Sequence, residues 1–373
     1  MSDLFDTTTI NGMILPNRFV RSATWEGLAC DDGSVTPRLC ETMAELARGE
    51  VGLIISGHAY VSPEGQAGLK QLGAHSDAMN RGLTTMAKAV HDAGGRIALQ
   101  LAHAGNQANV ALSSLAAVGP SNLESEGLPA CRALDHSGIA VLIRAFAEAA
   151  KRGKDAGFDA VQVHAAHGYL LSQFLSPAWN KRTDEYGGTI ENRARMLLEV
   201  VRAVRQAVGP HYPVLVKINS GDFVENGLSS EDAAAVAAML EQTSVDAVEL
   251  SGGCRPAGET FMPARKGRIK TKEQEAYYRQ AAAMCKRGLN IPLMLVGGIR
   301  SFEVAQELVN SGTVDYISLC RPLICEPGLV KRWSEGDRRP AECVSDNACY
   351  APGFAGEGIR CVTFEKKRSR TAG

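Results

Sequence analysis

The chain has 373 residues, a formal net charge of −1, 45% hydrophobic and 22% charged residues, the balance of an ordinary globular protein. Near-neutral charge argues against a nucleic-acid footprint or a membrane-surface patch, and no apolar run reaches the ~18 residues that a spanning helix needs. The opening "MSDLFDTTTI" lacks the apolar stretch of a secretory signal, and ten scattered cysteines suit free thiols in a reducing cytoplasm better than a disulfide framework. A cytoplasmic enzyme or small-molecule binder is expected, with no nucleic-acid or membrane partner.

In chain order, "INGMILPN" (10–17) comes first, with Asn-Gly between apolar runs. That is the signal of a type I′ hairpin, expected here as a cap under the main fold. Eight short apolar runs follow: "FVRSA" (19–23), "GLIISG" (52–57), "RIALQLAH" (96–103), "AVQVHAAH" (160–167), "VLVKIN" (214–219), "AVELSGG" (247–253), "LMLVGG" (293–298) and "YISLCRP" (316–322). They are continuous rather than alternating, as in parallel strands covered on both faces. Amphipathic stretches lie between them, among them 77–94, 191–209 and 301–312. The last has Ser301 at its N-cap and Gly312 at its close.

Eight such units predict an α/β fold, a closed (β/α)8 TIM barrel over 1–335 with an N-terminal β-hairpin cap and a C-terminal extension over 336–373. A doubly wound sheet would carry a G-x-G-x-x-G turn after an early strand, and none is present. The stretch 104–139 is too long for a plain connection and is expected to carry function. The basic "EKKRSR" (365–370) is expected to be a solvated end.

Chemistry in this fold sits at the C-terminal ends of the strands. Those ends supply Ser22, Ala23, Thr24 and Trp25; Gly57 and His58; Gln100 and His103; His164, His167 and Tyr169; Lys217; Gly297 and Gly298; and Cys320 and Arg321. Carboxylates are scarce, which disfavours a glycosidase; Glu249 is expected to meet a structural cation. No metal is expected, since His164 and His167 lack the H-E-x-x-H context and a neighbouring third ligand. Gly297 and Gly298 free backbone N–H groups at a helix start, and Arg321 can add a guanidinium, which together make a phosphate site. Gln100 offers donor and acceptor to a mixed ring edge. Lys217, inside an apolar strand, needs a negative partner: an anionic flavin, or a local acid such as Asp222.

The segment "HAAHGYLLSQFLSPAWNKRTDEYGGTIENRARMLLEVV" (164–201) resembles the signature of the old yellow enzyme family of flavin-dependent ene-reductases. "RFVRSATWEG", "GLIISGHAYVSPEG", "ALQLAHAG", "LVKIN", "VGGI" and "SLCRPLICEP" are similar to further family segments in the same order, over roughly residues 4 to 335. The resemblance implies one non-covalent FMN, recharged by NADH or NADPH. It puts Ser22, Ala23, Thr24 and Gly57 beside the flavin ring, Gln100 and Lys217 at its pyrimidine edge, and Gly297, Gly298, Cys320 and Arg321 on its phosphate. His164 and His167 would hold the carbonyl oxygen of an α,β-unsaturated substrate, Tyr169 would donate the proton, and Trp25 would touch the substrate. A homo-oligomer is expected.

Three departures stand out. Trp25 occupies a place where many relatives have Thr or Cys, and Lys217 one where they have arginine. The tail "CVSDNACYAPGFAGEGIRC" (343–361) is similar to the iron–sulfur stretch of larger relatives such as 2,4-dienoyl-CoA reductase, yet Asp346 stands among Cys343, Cys349 and Cys361 where a cysteine is expected. The tail is therefore expected to hold no cluster. Two other readings remain: an FMN-dependent dehydrogenase or demethylase of a small amine, and a sugar-phosphate or nucleotide barrel using Lys217 as a Schiff base.

Overall fold

The computed structural model describes residues 3–123 and 130–371. Eight parallel strands form a closed ring: β1 Phe19–Arg21, β2 Leu53–Ile55, β3 Ile97–Ala102, β4 Ala160–Ala165, β5 Val214–Asn219, β6 Ala247–Ser251, β7 Leu293–Val296 and β8 Tyr316–Leu319. β8 pairs with β1 and β2 with β3, which closes the barrel. All eight coincide with the apolar runs. The main helices follow one per strand: α1 Pro37–Arg48, α2 Asn80–Asp92, α3 His136–Asp155, α4 Ile190–Val208, α5 Ser230–Glu241, α6 Arg279–Lys286, α7 Phe302–Asn310 and α8 Leu329–Ser334.

Local chemistry starts and stops these helices. Thr36 accepts the Leu39 amide at the head of α1, with Pro37 in the first turn, and Asp135 accepts the Gly138 amide at the head of α3. The expected N-cap Ser301 does flank α7, but it makes no side-chain cap; its hydroxyl donates to Glu275 Oε1 at 2.8 Å instead. Gly312, at φ +68°, follows the last turn as expected. The hairpin pairs Thr8–Ile10 with Met13–Leu15, and Asn11 and Gly12 both have positive φ.

Alternation along the strands sorts side chains into two environments. Outward residues such as Leu99, Val161, Val216 and Leu250 pack against the helices in the main core. Inward residues form layers. Val20, Leu53, Ile55, Ala98, Ala160, Leu215, Ala247, Met294 and Tyr316 join Ile10, Met13 and Leu15 of the hairpin in an apolar plug, so the hairpin does cap the bottom. Two residues further along the strands the interior turns polar, with Ser22, Gln100, Gln162, Lys217, Glu249 and Ser318, all buried. The stretch 104–139 forms a small parallel pair, Ala117–Gly119 with Cys131–Ala133, and a short helix, Val110–Ser113. Residues 336–371 hold two further short helices, Tyr350–Phe354 and Val362–Thr371.

Candidate active site

A cavity of about 590 Å³ opens at the C-terminal ends of the strands, a size that suits a cofactor. Ser22, Ala23, Thr24, Trp25, Gln100, His164, His167, Tyr169, Lys217, Gly297, Gly298, Cys320 and Arg321 all line it. Gly57 does not line it. The Gly57 amide donates to Glu26 Oε1 at 3.0 Å, and a Cβ there would fall 2.1 Å from Glu26 Oε2, so Gly57 packs behind the wall. Its neighbour His58 faces the cavity instead.

One flank is built on the end of β4. His164 and His167 rings stand 5.1 Å apart, and Tyr169 lies 5.0 Å from His164. His167 has φ +63°, a conformation a side chain adopts at some cost. Two neighbours hold it there: Asn219 Oδ1 accepts the His167 amide at 3.0 Å, and Gln107 Nε2 donates to the His167 carbonyl at 3.1 Å. His167 Nε2 is 2.8 Å from Ser251 Oγ, while His164 Nδ1 is buried without a partner. Burial, with the neighbouring imidazoles and the Lys217 ammonium adding to it, lowers both rings well below the ordinary histidine range. Both are neutral at pH 7, each with one N–H to give. Burial also pushes the Tyr169 phenol up to about 12, so it stays protonated.

His58 and His103 are strand-end residues to which the sequence gave no role; His58 lines the cavity and His103 does not. His58 Nε2 lies 3.3 Å from Tyr169 Oη, and burial followed by the Lys217 charge lowers it to about 4. It therefore meets the phenol as a neutral ring.

The floor is the polar layer. Register puts Lys217 opposite both His164 and Glu249, and Gln100 opposite Gln162. Lys217 Nζ donates to Ser22 Oγ at 2.7 Å and lies 3.4 Å from Glu249 Oε2. The local acid paired with Lys217 is thus Glu249, not Asp222, which accepts from Asn219 and the Leu228 amide. Glu249 meets a cation, as expected of it.

At the far end Gly297 and Gly298 have φ of +144° and +76°. A Cβ on Gly298 would fall 2.5 Å from the Tyr277 ring, which sequence reading missed because 254–278 shows no clear periodicity. Arg321 lies beside them, with Nη1 donating to the Arg265 carbonyl and to Asn347 Oδ1, both at 2.7 Å. Thr24 Oγ1 and Cys320 Sγ are 3.1 Å apart. Trp25 stands at the rim, donating to the Leu69 carbonyl and packing 5.4 Å from Phe354, which with Tyr350 brings the tail into the cavity wall.

Cys343, Cys349, Cys361 and Asp346 line a second cavity of about 740 Å³ that shares Arg300 and Arg321 with the first. Asp346 is engaged by Thr363 at 2.5 Å and the Ala348 amide at 3.1 Å. The neighbouring thiols of Cys325 and Cys361 act on each other, drawing Cys361 down to about 7 and pushing Cys325 up. Among the described residues, the one trio of ligand atoms within 4.8 Å of each other is His136, Asp184 and Glu185. It is exposed or half-buried, and its Asp184 already accepts a forked pair of bonds from Arg182. No helix of the described residues is long and apolar enough to cross a membrane.

This geometry can be set beside known proteins. The family model described as NADH:flavin oxidoreductase / NADH oxidase matches residues 3–339. The NADH oxidase of Thermoanaerobacter brockii is 34% identical over 366 residues, 96% of this chain and 55% of that protein, so the chain spans about half of its length. The NADPH dehydrogenase of Geobacillus sp. (strain WCH70) is 35% identical over 327 residues, 87% of this chain and 91% of that protein. The old yellow enzyme homologue of Zymomonas mobilis superposes with a TM-score of 0.79 at 28% identity, over 97% of this chain and 98% of that one. The chain belongs to the NADH:flavin oxidoreductase / NADH oxidase family, the old yellow enzyme family.

Proposed function

We propose that this protein reduces the activated C=C bond of small α,β-unsaturated carbonyl compounds, with NADH or NADPH as the electron source and FMN in the barrel mouth. The observation that carries the reading is the convergence of two neutral imidazoles and a protonated phenol on one flank of a cavity whose opposite end is a Gly-Gly and arginine cradle. The residues fit FMN. The mouth is open, Gly297 and Gly298 line its wall with positive-φ backbone, and buried His164 Nδ1 is left for a ligand. Gly297, Gly298, Cys320 and Arg321 would hold the phosphate, Gln100 and Lys217 the pyrimidine edge, and Ser22, Ala23 and Thr24 the ring.

When bound, FMN would supply the hydride for the β-carbon of the substrate. The chain's own part is electrostatic and geometric. His164 and His167 offer N–H donors to the carbonyl oxygen, where negative charge grows as the hydride arrives; each such donor is worth ~3 kcal/mol. Their neutrality matters, because a ring that kept its proton in the resting site would hold any anion rather than the enone. Tyr169 delivers a proton to the α-carbon, and His58 holds its hydroxyl in place. Trp25 forms the outer edge of the substrate space. Gly57 supports that wall from behind.

Two half-reactions test this. Reconstituted protein should be yellow and be bleached anaerobically by NADH or NADPH, then reoxidised by an enone. His164→Ala with His167→Ala should slow reoxidation by an enone at least 100-fold while changing bleaching by less than about tenfold, since each donor lost costs ~3 kcal/mol only where oxygen charge develops. Equal losses in both steps, or a protein that binds no FMN, would refute the reading.

A further inference from the structure

The polar layer beneath the mouth holds a buried charge pair, and nothing in the reading above assigns a role to its acid. Lys217 and Glu249 are 2% and 0% exposed, side by side on β5 and β6. Glu249 Oε2 lies 3.4 Å from Lys217 Nζ and accepts from Gln162 Nε2 at 2.9 Å; Gln162 in turn accepts from Gln100 Nε2 at 2.7 Å. Glu249 Oε1 has no partner. A chain of fixed side chains thus runs from one cavity-lining residue, Gln100, through the carboxylate to another, Lys217. His58, His164 and His167, the histidines on which the Lys217 charge acts, are held neutral and add no charge of their own above the pair.

We infer that Glu249 is a positioning residue for the flavin's electron affinity: it holds Lys217 at the pyrimidine edge and cancels most of the charge Lys217 would present there. The inference rests on the FMN reading of the mouth. Reduction adds negative charge to that edge, so an uncompensated ammonium favours the reduced cofactor and an uncompensated carboxylate disfavours it. Buried opposite charges this close leave little net field, and removing either one leaves the other's field unopposed in a site from which water is excluded. The lysine's role therefore depends on an acid that does not itself line the mouth.

The test is the midpoint potential of the FMN-loaded protein, read by anaerobic spectral titration against reference dyes, with FMN affinity measured alongside. Glu249→Gln keeps the shape and the acceptor for Gln162; it should favour reduced over oxidised FMN by at least tenfold, a rise of about 30 mV for a two-electron couple. Lys217→Met should move the ratio at least tenfold the other way. The double variant should return to within threefold of the parent, about 15 mV. A Glu249→Gln potential within threefold of the parent overturns the inference. If Glu249→Gln alone does not load FMN, the comparison of Lys217→Met with the double variant decides it by the same criterion. A parent protein that binds no FMN refutes the reading of the mouth instead; a yellow parent with an unmoved Glu249→Gln refutes only this step.

Discussion

Acid should destabilise the protein through the three imidazoles held neutral at the mouth, His58, His164 and His167, and His58 gives the amount. His58 falls from an ordinary value of 6.5 to about 4 in the fold. A histidine lowered on folding is held neutral, so its contribution is intact above pH 6.5 and is lost as the pH falls from there toward the folded value, because the unfolded chain binds the proton first. At pH 5 an unfolded histidine is almost fully charged while His58 is almost fully neutral, which costs the fold about 2 kcal/mol. His58 keeps part of its ring open to the mouth, so this is an upper figure. His164 and His167 are lowered too, by burial first, so acid acts on them in the same direction, against a typical total stability of about 5–15 kcal/mol. Urea unfolding at pH 7.5 and pH 5.0, at one fixed FMN concentration, measures the loss. His58→Asn should shrink the difference between the two pH values by about 1–2 kcal/mol. A variant that loses as much as the parent would refute the neutral state of His58.

Other perturbations have defined outcomes. Gly298→Ala combines φ +76° with a Cβ 2.5 Å from Tyr277, and should weaken FMN binding at least tenfold by fluorescence titration; Gly188→Ala, at φ +86° with open space, should leave binding unchanged. Phe354→Ala removes a side chain 74% exposed against Trp25 and widens the rim. It should raise kcat/KM for a ring-bearing enone relative to a small acyclic one by several-fold, leaving bleaching by NADH or NADPH within twofold. Cys361, held low by the neighbouring Cys325 thiol, should react with iodoacetamide at lower pH than free cysteine, as read by peptide mass spectrometry. Protection of Cys361 together with Cys343 and Cys349, with iron in the purified protein, would mean that the tail holds a cluster.

What the sequence revealed and what it hid have a common physical origin. Barrel strands buried on both faces read as apolar runs, so all eight were visible, as was the hairpin from Asn11-Gly12. Strand-end position alone brought fourteen of the sixteen strand-end residues to one cavity; His103 stays outside it, and Gly57 is misplaced by a single step of alternation, which turns the next residue, His58, inward. The partner of Lys217 was hidden because it depends on which strand lies alongside: Asp222 is five residues away in sequence, whereas Glu249 is its cross-strand neighbour. A signal did exist. Reading every second residue as Val20–Ser22, Ala98–Gln100, Ala160–Gln162 and Leu215–Lys217 picks out a polar layer directly above the apolar one. Tyr277 and Phe354 carried no such periodic mark, since both arrive from connections and the tail.

That layer is hard to explain as a stabilising feature. The usual filling of such a barrel is branched and aliphatic, and the lower layer of this one follows the rule. An ion pair taken out of water often fails to recover its desolvation, and replacing one with well-packed apolar side chains of similar volume is often neutral or stabilising by about 1–4 kcal/mol. Glu249 Oε1, buried without a partner, adds to the cost. If the pair served the fold, Lys217→Met with Glu249→Gln should lower the midpoint of thermal unfolding of the FMN-free protein. If it serves the ligand, the double variant should melt at the same temperature or higher, while either single substitution, which leaves one buried charge unpaired, should lower the midpoint clearly, by the ~3–5 kcal/mol typical of a broken pair. A double variant as unstable as the singles would place the pair among the structural elements of the barrel and leave its position under the mouth without a functional reason.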